Sequence, residues 1–339
     1  MEESKKRISW LDMAKGYGIL FVILGHLDIG LFDEWIYTFH MPLFFFLSGC
    51  VFSAKKPFLE FLKKKCKALL VPYFCMGLLV ILFQFLFYSH EGESLSGDLL
   101  LKFRDLLVQI RCWDLWYLAC LFWMNIIFYW IVRIFKRLWA TGLVILLMET
   151  GGVYYYTYVR QGVFWNIDAC FIVGIFFYLG YLFRELFIGK FTEMKLKAPL
   201  AVGVSFLALI INLVSAVYSY KISGLHFDIY DASLGFVPLS FISAVAGIVP
   251  VLILSKQTYL YFIDYIGKNS LIYYILHMDV MIPVTERLLG LAGFAFAELT
   301  VMQPAFWLCR LYQFIFIVAS LTLISELFKR TPLRVLTGR

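Results

Sequence analysis

The chain has 339 residues, of which 62% are hydrophobic, 19% aromatic and 16% charged. No water-soluble fold hides that share of apolar surface inside itself, so the composition excludes a soluble globule and marks an integral membrane protein. The formal charge of +7 is assigned to membrane topology and anionic lipid headgroups, with no nucleic-acid partner, because basic clusters beside apolar spans serve those ends.

A spanning helix takes about 20 mostly apolar residues. Runs of that length predict ten spans, at 9–30, 36–54, 68–88, 112–133, 138–156, 164–183, 198–219, 232–255, 270–289 and 305–327. The predicted fold is an all-α integral membrane bundle of about ten transmembrane helices, a single polytopic domain over 1–339. Its polar start, "MEESKKRISW", enters the first run without a small-residue cleavage site, so the first span is expected to be retained, with Lys5, Lys6 and Arg7 holding its start in the cytoplasm. Basic residues recur on that side in the stretches Lys55–Lys67, Arg133–Arg137 and Arg184–Lys197, at Lys256 with Lys268, and in the tail Lys329–Arg339. The opposite breaks carry Asp33, Glu34, Glu91, Glu93, Asp228 and Asp231, with Lys102, Arg104 and Arg111 as exceptions. Both termini are therefore expected in the cytoplasm.

Pro238, Gly247 and Pro250 make the eighth span irregular, which a bilayer tolerates where freed backbone groups face protein or a water-filled cavity. The following "QTYLYFIDYIGKN", 257–269, reads as a short amphipathic interfacial helix ending at Gly267. The seven cysteines are odd in number, fall mostly in apolar runs and lack metal-ligand spacing, so they read as packing residues with no disulfide framework and no metal.

Candidate chemistry begins in the first span, where "DMAKGYGILFVILGH" places Asp12 and Lys15 three apart on one helix face. Eleven residues beyond Lys15, about 16 Å and three turns on, His26 returns to nearly the same stripe. An ionisable group at a helix centre costs about 2.5–3.5 kcal/mol on insertion scales, so such groups face a polar interior. The plain alternatives are an interfacial Asp12–Lys15 pair with a snorkelling lysine, and a packing histidine at 26. His40 opens the second span in "YTFHMPLFFFLSG", followed by a first-turn Pro42 and by Ser48 and Gly49, small enough for close helix approach. His277, in "NSLIYYILHMD", divides between a structural hydrogen bond and a site role. Asp114, Asp168, Asp279 and Arg310 fall in the outer half, either lining a polar acceptor chamber or pairing with one another. His90 and His226 belong to outer loops and are assigned nothing.

"RISWLDMAKGYGILFVILGH", "WIYTFHMPLFFFLSG", "FLKKKCKALLVPYF", "LWYLACLF" and "YIGKNSLIYYILH" occur in that order from residue 7 to about 277. Together they resemble the membrane-bound acyltransferase-3 family, most closely its fucose 4-O-acetylase-like branch. The resemblance implies a bundle of about ten spans that transfers acyl groups, often acetyl from acetyl-CoA, to sugars of exported or surface glycans and related acceptors. The family pattern of a basic residue, ten residues, then histidine maps onto Lys15 and His26. Many members carry arginine where this chain has lysine, which supplies a point charge without the bidentate fork.

On that basis acyl-CoA is expected as donor, with Lys15, Lys63, Lys64, Lys65 and Lys67 meeting its phosphates at the cytoplasmic face. His26 is expected to act as general base or as nucleophile, with His40 as its catalytic companion. Asp33, Glu34 and His40 are the candidates to orient His26, His40 being preferred. Asp12, Glu34, Ser48, Asp168, His277 and Arg310 are the supporting or substrate-binding candidates, with Ser48 or backbone N–H groups holding the oxyanion. Expected partners are a glycan or small-molecule hydroxyl acceptor and membrane lipid, and the expected location is the plasma membrane. The competing class is a proton-coupled transporter or flippase of the same shape, while a scaffold role is disfavoured by the buried ionisable groups.

Overall fold

A computed structural model describes residues 8–88, 95–112, 115–294 and 299–338 of the chain. Lys5, Lys6, Arg7, His90, Glu91, Glu93, Asp114 and Arg339 lie outside the described residues. The elements in chain order are α1 (Ser9–Gly25), α2 (Leu31–Tyr37), α3 (His40–Cys50), α4 (Phe58–Lys65), a π turn (Cys66–Leu70), α5 (Val71–Tyr88), α6 (Leu95–Val108), α7 (Trp116–Ile134), α8 (Leu138–Tyr158), α9 (Ile167–Leu186) and α10 (Ile188–Glu193). They continue with α11 (Ala198–Ser223), α12 (Val237–Gln257), α13 (Tyr261–Lys268), α14 (Ser270–Leu276), a second π turn (His277–Met281), α15 (Ile282–Leu291) and α16 (Pro304–Arg330). Among the described residues no β-strand forms, only an isolated bridge between Asp228 and Ser233.

The protein is a helical membrane bundle. Among the described residues seven helices are long and apolar enough to cross a bilayer: Phe58–Phe87, Trp116–Ile134, Leu138–Tyr158, Phe164–Leu186, Ala198–Ser223, Val237–Gln257 and Pro304–Arg330. The remaining three predicted spans fall on elements of another kind. α1 stops at Gly25 instead of running to residue 30, because the chain turns at Asp28 (φ 51°) and Gly30 (φ 76°), a backbone that glycine adopts without strain. The predicted span at 36–54 is two pieces, the short α2 and the 11-residue α3, which rises only about 16 Å. Ten of its residues are buried, so α3 crosses protein and not lipid. The ninth predicted span opens into the π turn at His277, where Pro283 has no N–H to return to the carbonyl four residues earlier.

Close packing around α1 and α3 comes from glycines in reciprocal pairs. Gly16 of α1 faces the carbonyl of Ile263 on α13, while Gly267 of α13 faces the carbonyl of Asp12 on α1. The amphipathic α13, expected to lie at the interface, is thus docked on the first helix, burying Ile263, Asp264, Ile266 and Gly267. Gly49 of α3 meets the carbonyl of Phe177 on α9, and Gly180 of α9 meets that of Phe46 on α3. Small residues that let backbones approach this closely are what hold helices together where the surrounding solvent is itself apolar. On the far side of α2, Asn212 of α11 donates to Thr38 Oγ1 (3.1 Å) and Ser243 O (2.8 Å) and accepts from Trp35 Nε1 (2.6 Å), joining α2, α11 and α12. All seven cysteines are free.

Candidate active site

α1 connects two cavities, one near each of its ends. The first, about 160 Å³, is bounded by Lys15, Ser48, Tyr117 and Ser270 among apolar neighbours that include Leu69 of the first π turn. The second, about 420 Å³, holds His26, His40, Asp228, Asp231 and Asp279 between the aromatic walls of Tyr37, Trp116, Tyr230 and Tyr274. Met41 and Tyr274 line both cavities, so they form the partition between them.

His26 is the C-cap of α1, one residue past the last helical turn, which frees its ring from the helix surface. Its Nδ1 lies 2.8 Å from the carbonyl of Val22 and 3.2 Å from Nε2 of His277. A carbonyl only accepts, so His26 Nδ1 carries the hydrogen and Nε2 keeps its lone pair. His277 obeys the same rule: Nδ1 donates to Tyr274 O (2.7 Å) and Tyr273 O (3.1 Å), leaving Nε2 as the acceptor turned toward His26. His40 Nδ1 likewise donates to Ile36 O (2.9 Å). The three rings form one group, with His26–His277 centroids 4.9 Å apart and His26–His40 centroids 6.4 Å apart in edge-to-face contact.

This arrangement revises which residue orients His26. The hydrogen-bond partner is His277, 251 positions away, whereas His40 meets His26 only through ring packing. Asp33 accepts the N–H of Gly30 (3.1 Å), and Glu34 pairs with His226 (3.3 Å) across a different groove, so neither touches His26. A histidine partner differs from a carboxylate in carrying no fixed charge. Its Nε2 accepts from His26 Nδ1 together with Val22 O, an arrangement able to stabilise an imidazolium at His26.

The remaining candidates separate by location. Lys15, which lines the smaller cavity, pairs with the buried Asp12 (3.7 Å), and on the same wall Ser48 Oγ lies 3.3 Å from Tyr117 OH. Lys63, Lys64 and Lys67 are exposed, and Lys65 packs over the Phe61 ring at 5.4 Å; none of the four, carried by α4 and the π turn after it, lines either cavity. Asp168 is buried in an ion pair with Arg111 (2.6 Å) and lies outside the His26 cavity. Arg310 bonds Gln313 (3.0 Å) and reaches the carbonyl (3.3 Å) and carboxylate (3.6 Å) of Asp28, tying α16 to the turn that follows His26. Of the outer charges Asp168, Asp279 and Arg310, which are among the described residues, Asp279 alone lines the cavity, with Gln84 donating to it (3.3 Å).

Asp228, which the sequence marked only as an outer acid, also lines the His26 cavity. Its Oδ1 accepts the N–H of Tyr230 (2.8 Å) in the tight turn closed by the Asp228–Ser233 bridge. Burial, reinforced by the neighbouring Asp231 carboxylate, pushes its own carboxyl up to about 6, against the backbone N–H groups of Tyr230 and Asp231 and the nearby His26. A folded value above the unfolded one means the native state holds a proton between about pH 4 and 6 that the unfolded chain has released. This group therefore favours the fold as the pH falls and costs stability as it rises through 6. The melting temperature of detergent-solubilised protein is expected to drop more between pH 5 and pH 7.5 in the parent than in Asp228→Asn; equal drops would remove Asp228 from the pH response.

A search among curated proteins gives no match. The model of the acyltransferase domain, in contrast, matches residues 8–326, which take in both cavities and the helices that build them, so the chain belongs to the acyltransferase 3 family and is a multi-pass membrane acyltransferase.

Proposed function

We propose that this protein moves an acyl group, foremost acetyl, from cytosolic acyl-CoA to a hydroxyl of a sugar or related acceptor in the cavity of His26, at the plasma membrane. The observation that carries the reading is the imidazole itself. Its Nδ1 is held by Val22 and His277 while Nε2 stays available in a cavity that shares the walls Met41 and Tyr274 with the chamber of Lys15. The likeness of the first two motifs to the fucose 4-O-acetylase-like branch supports a sugar hydroxyl.

In the proposed reaction the CoA phosphates stay at the cytoplasmic face, near Lys15 and the exposed Lys63, Lys64 and Lys67, with the thioester extended past Ser48 and Tyr117. The small chamber suits the narrow arm and not the nucleotide. His26 Nε2 takes the acceptor's hydroxyl proton, the oxygen attacks the thioester carbonyl, the C–S bond breaks, and the CoA thiolate recovers the proton from His26. Charge developing on the imidazole faces Asp228 and Asp279 across the same cavity. The variant route, an acyl-imidazole at Nε2, uses the same atom as nucleophile.

Labelled acetyl-CoA, which does not cross lipid, tests the geometry. Supplied to inverted membrane vesicles it is expected to label the acceptor, and supplied to right-side-out vesicles it is not. Lys15→Glu is expected to raise KM for acetyl-CoA about tenfold by placing like charge against phosphate. Equal labelling from both sides, with Lys15→Glu silent, would overturn the assignment of donor side and donor grip.

A further inference from the structure

We propose that the acceptor held beside His26 is a hydroxyl compound that also carries an ammonium group, as in a sugar with a free amine. The inference rests on the acyl-transfer reading of this cavity and specifies its substrate class.

Three carboxylates, from Asp228, Asp231 and Asp279, border the cavity, and among the described residues no lysine or arginine does. Three cations of the neighbouring helices and loops have other partners. Arg111 binds Asp168, Arg310 binds Asp28, and Lys102 donates to Gln84 Oε1 (2.6 Å), one side chain removed from Asp279. An anionic acceptor, a sugar acid or a phosphorylated sugar, would enter against this field. The rest of the wall is aromatic: Trp116 stands beside Tyr230, with ring centroids 6.1 Å apart, and Tyr274 and Tyr37 face the histidines. Aromatic faces attract an ammonium as well as the apolar face of a sugar ring, and carboxylates discriminate between the two.

The arrangement also decides which atom is acylated. Carboxylates around an amine keep it as ammonium, which has no lone pair and cannot attack a thioester. The hydroxyl presented to His26 Nε2 is then the available nucleophile, its proton passing to the imidazole and on to the departing CoA thiolate. The product is an ester, with the amine unmodified.

Purified protein with labelled acetyl-CoA is to be assayed against glucosamine, glucose and glucuronate at matched concentrations, with binding of the three followed in parallel by calorimetry. Glucosamine is expected to exceed glucose by tenfold or more in kcat/KM and to bind more tightly, with glucuronate last. Freed of residual acetyl-CoA, the product should be cleaved by alkaline hydroxylamine, as oxygen esters are and amides are not. Asp231→Asn, at an exposed loop position where neutral replacement leaves packing intact, should shrink the glucosamine-to-glucose ratio at least threefold. Charge-blind turnover, a preference for glucuronate, an amide product or no glucosamine signal in either assay overturns the proposal. Failure of the underlying reaction is a different result: no His26-dependent CoA release with any acceptor, whatever the order of binding.

Discussion

His26→Ala is expected to lower acyl transfer by about 10³-fold in kcat, within the 10²–10⁴ that a positioned proton-transfer group contributes. The KM for acyl-CoA should stay within about twofold, because the Lys15 chamber touches the His26 cavity only through the walls Met41 and Tyr274. His277→Ala leaves Val22 O as the one fixed acceptor for His26 Nδ1 and frees the ring to rotate, so a loss of about 10²-fold is expected, again in kcat. His40→Ala removes an edge-to-face ring and no hydrogen bond to His26, and should cost less than tenfold. The order His26 above His277 above His40 is the signature of this geometry. CoA-release kinetics on the three variants checks it, and mass spectrometry of protein held with acyl-CoA but no acceptor distinguishes an acyl-histidine from direct transfer. Turnover within threefold of the parent in His26→Ala would exclude both routes.

Hydropathy located the long helices well, because a run such as Ala198–Ser223 or Pro304–Arg330 must be apolar over most of its length to face lipid. It misjudged the elements that face protein. α1 and α3 are as apolar as most of the spans, yet the breaks at residues 26–30 and 38–39 go with positive φ at Asp28 and Gly30 and with the Thr38–Asn212 hydrogen bond, neither of which hydropathy measures. The Lys15-to-His26 spacing was legible since helical geometry alone sets both on one stripe. The His26–His277 contact was not, because it joins chain segments 251 positions apart and follows from α14 packing on α1. His277 was visible as a histidine in an apolar span, and its partner was invisible. The lysine run at 63–67 is ambiguous for a related reason: a basic cluster beside a span is explained by topology as well as by a ligand, and the letters do not say which way the cluster faces.

Gly180→Ala and Gly49→Ala are expected to prevent recovery of stable protein, although each adds a single methyl group. At Gly180 the new Cβ would fall on the carbonyl of Phe46, and at Gly49 on that of Phe177, both backbone atoms of a neighbouring helix with no rotamer to yield. Overpacking commonly costs about 1–3 kcal/mol where side chains relax, and here relief requires parting α3 from α9 along their length. That separation carries further than the local clash. α3 bears His40 at its start and Met41 and Ser48 on the cavity walls, so a shift of the helix widens the partition between the two chambers and disturbs the ring group around His26. Gly203→Ala is the matched control, since a Cβ there meets nothing within 4 Å and alanine is the better helix former by about 1 kcal/mol. Melting temperature and the monodisperse fraction on size exclusion should fall sharply for the α3 and α9 variants and hold or rise for Gly203→Ala. Parental stability in Gly180→Ala would show that α3 and α9 do not cross at the separation their glycines allow.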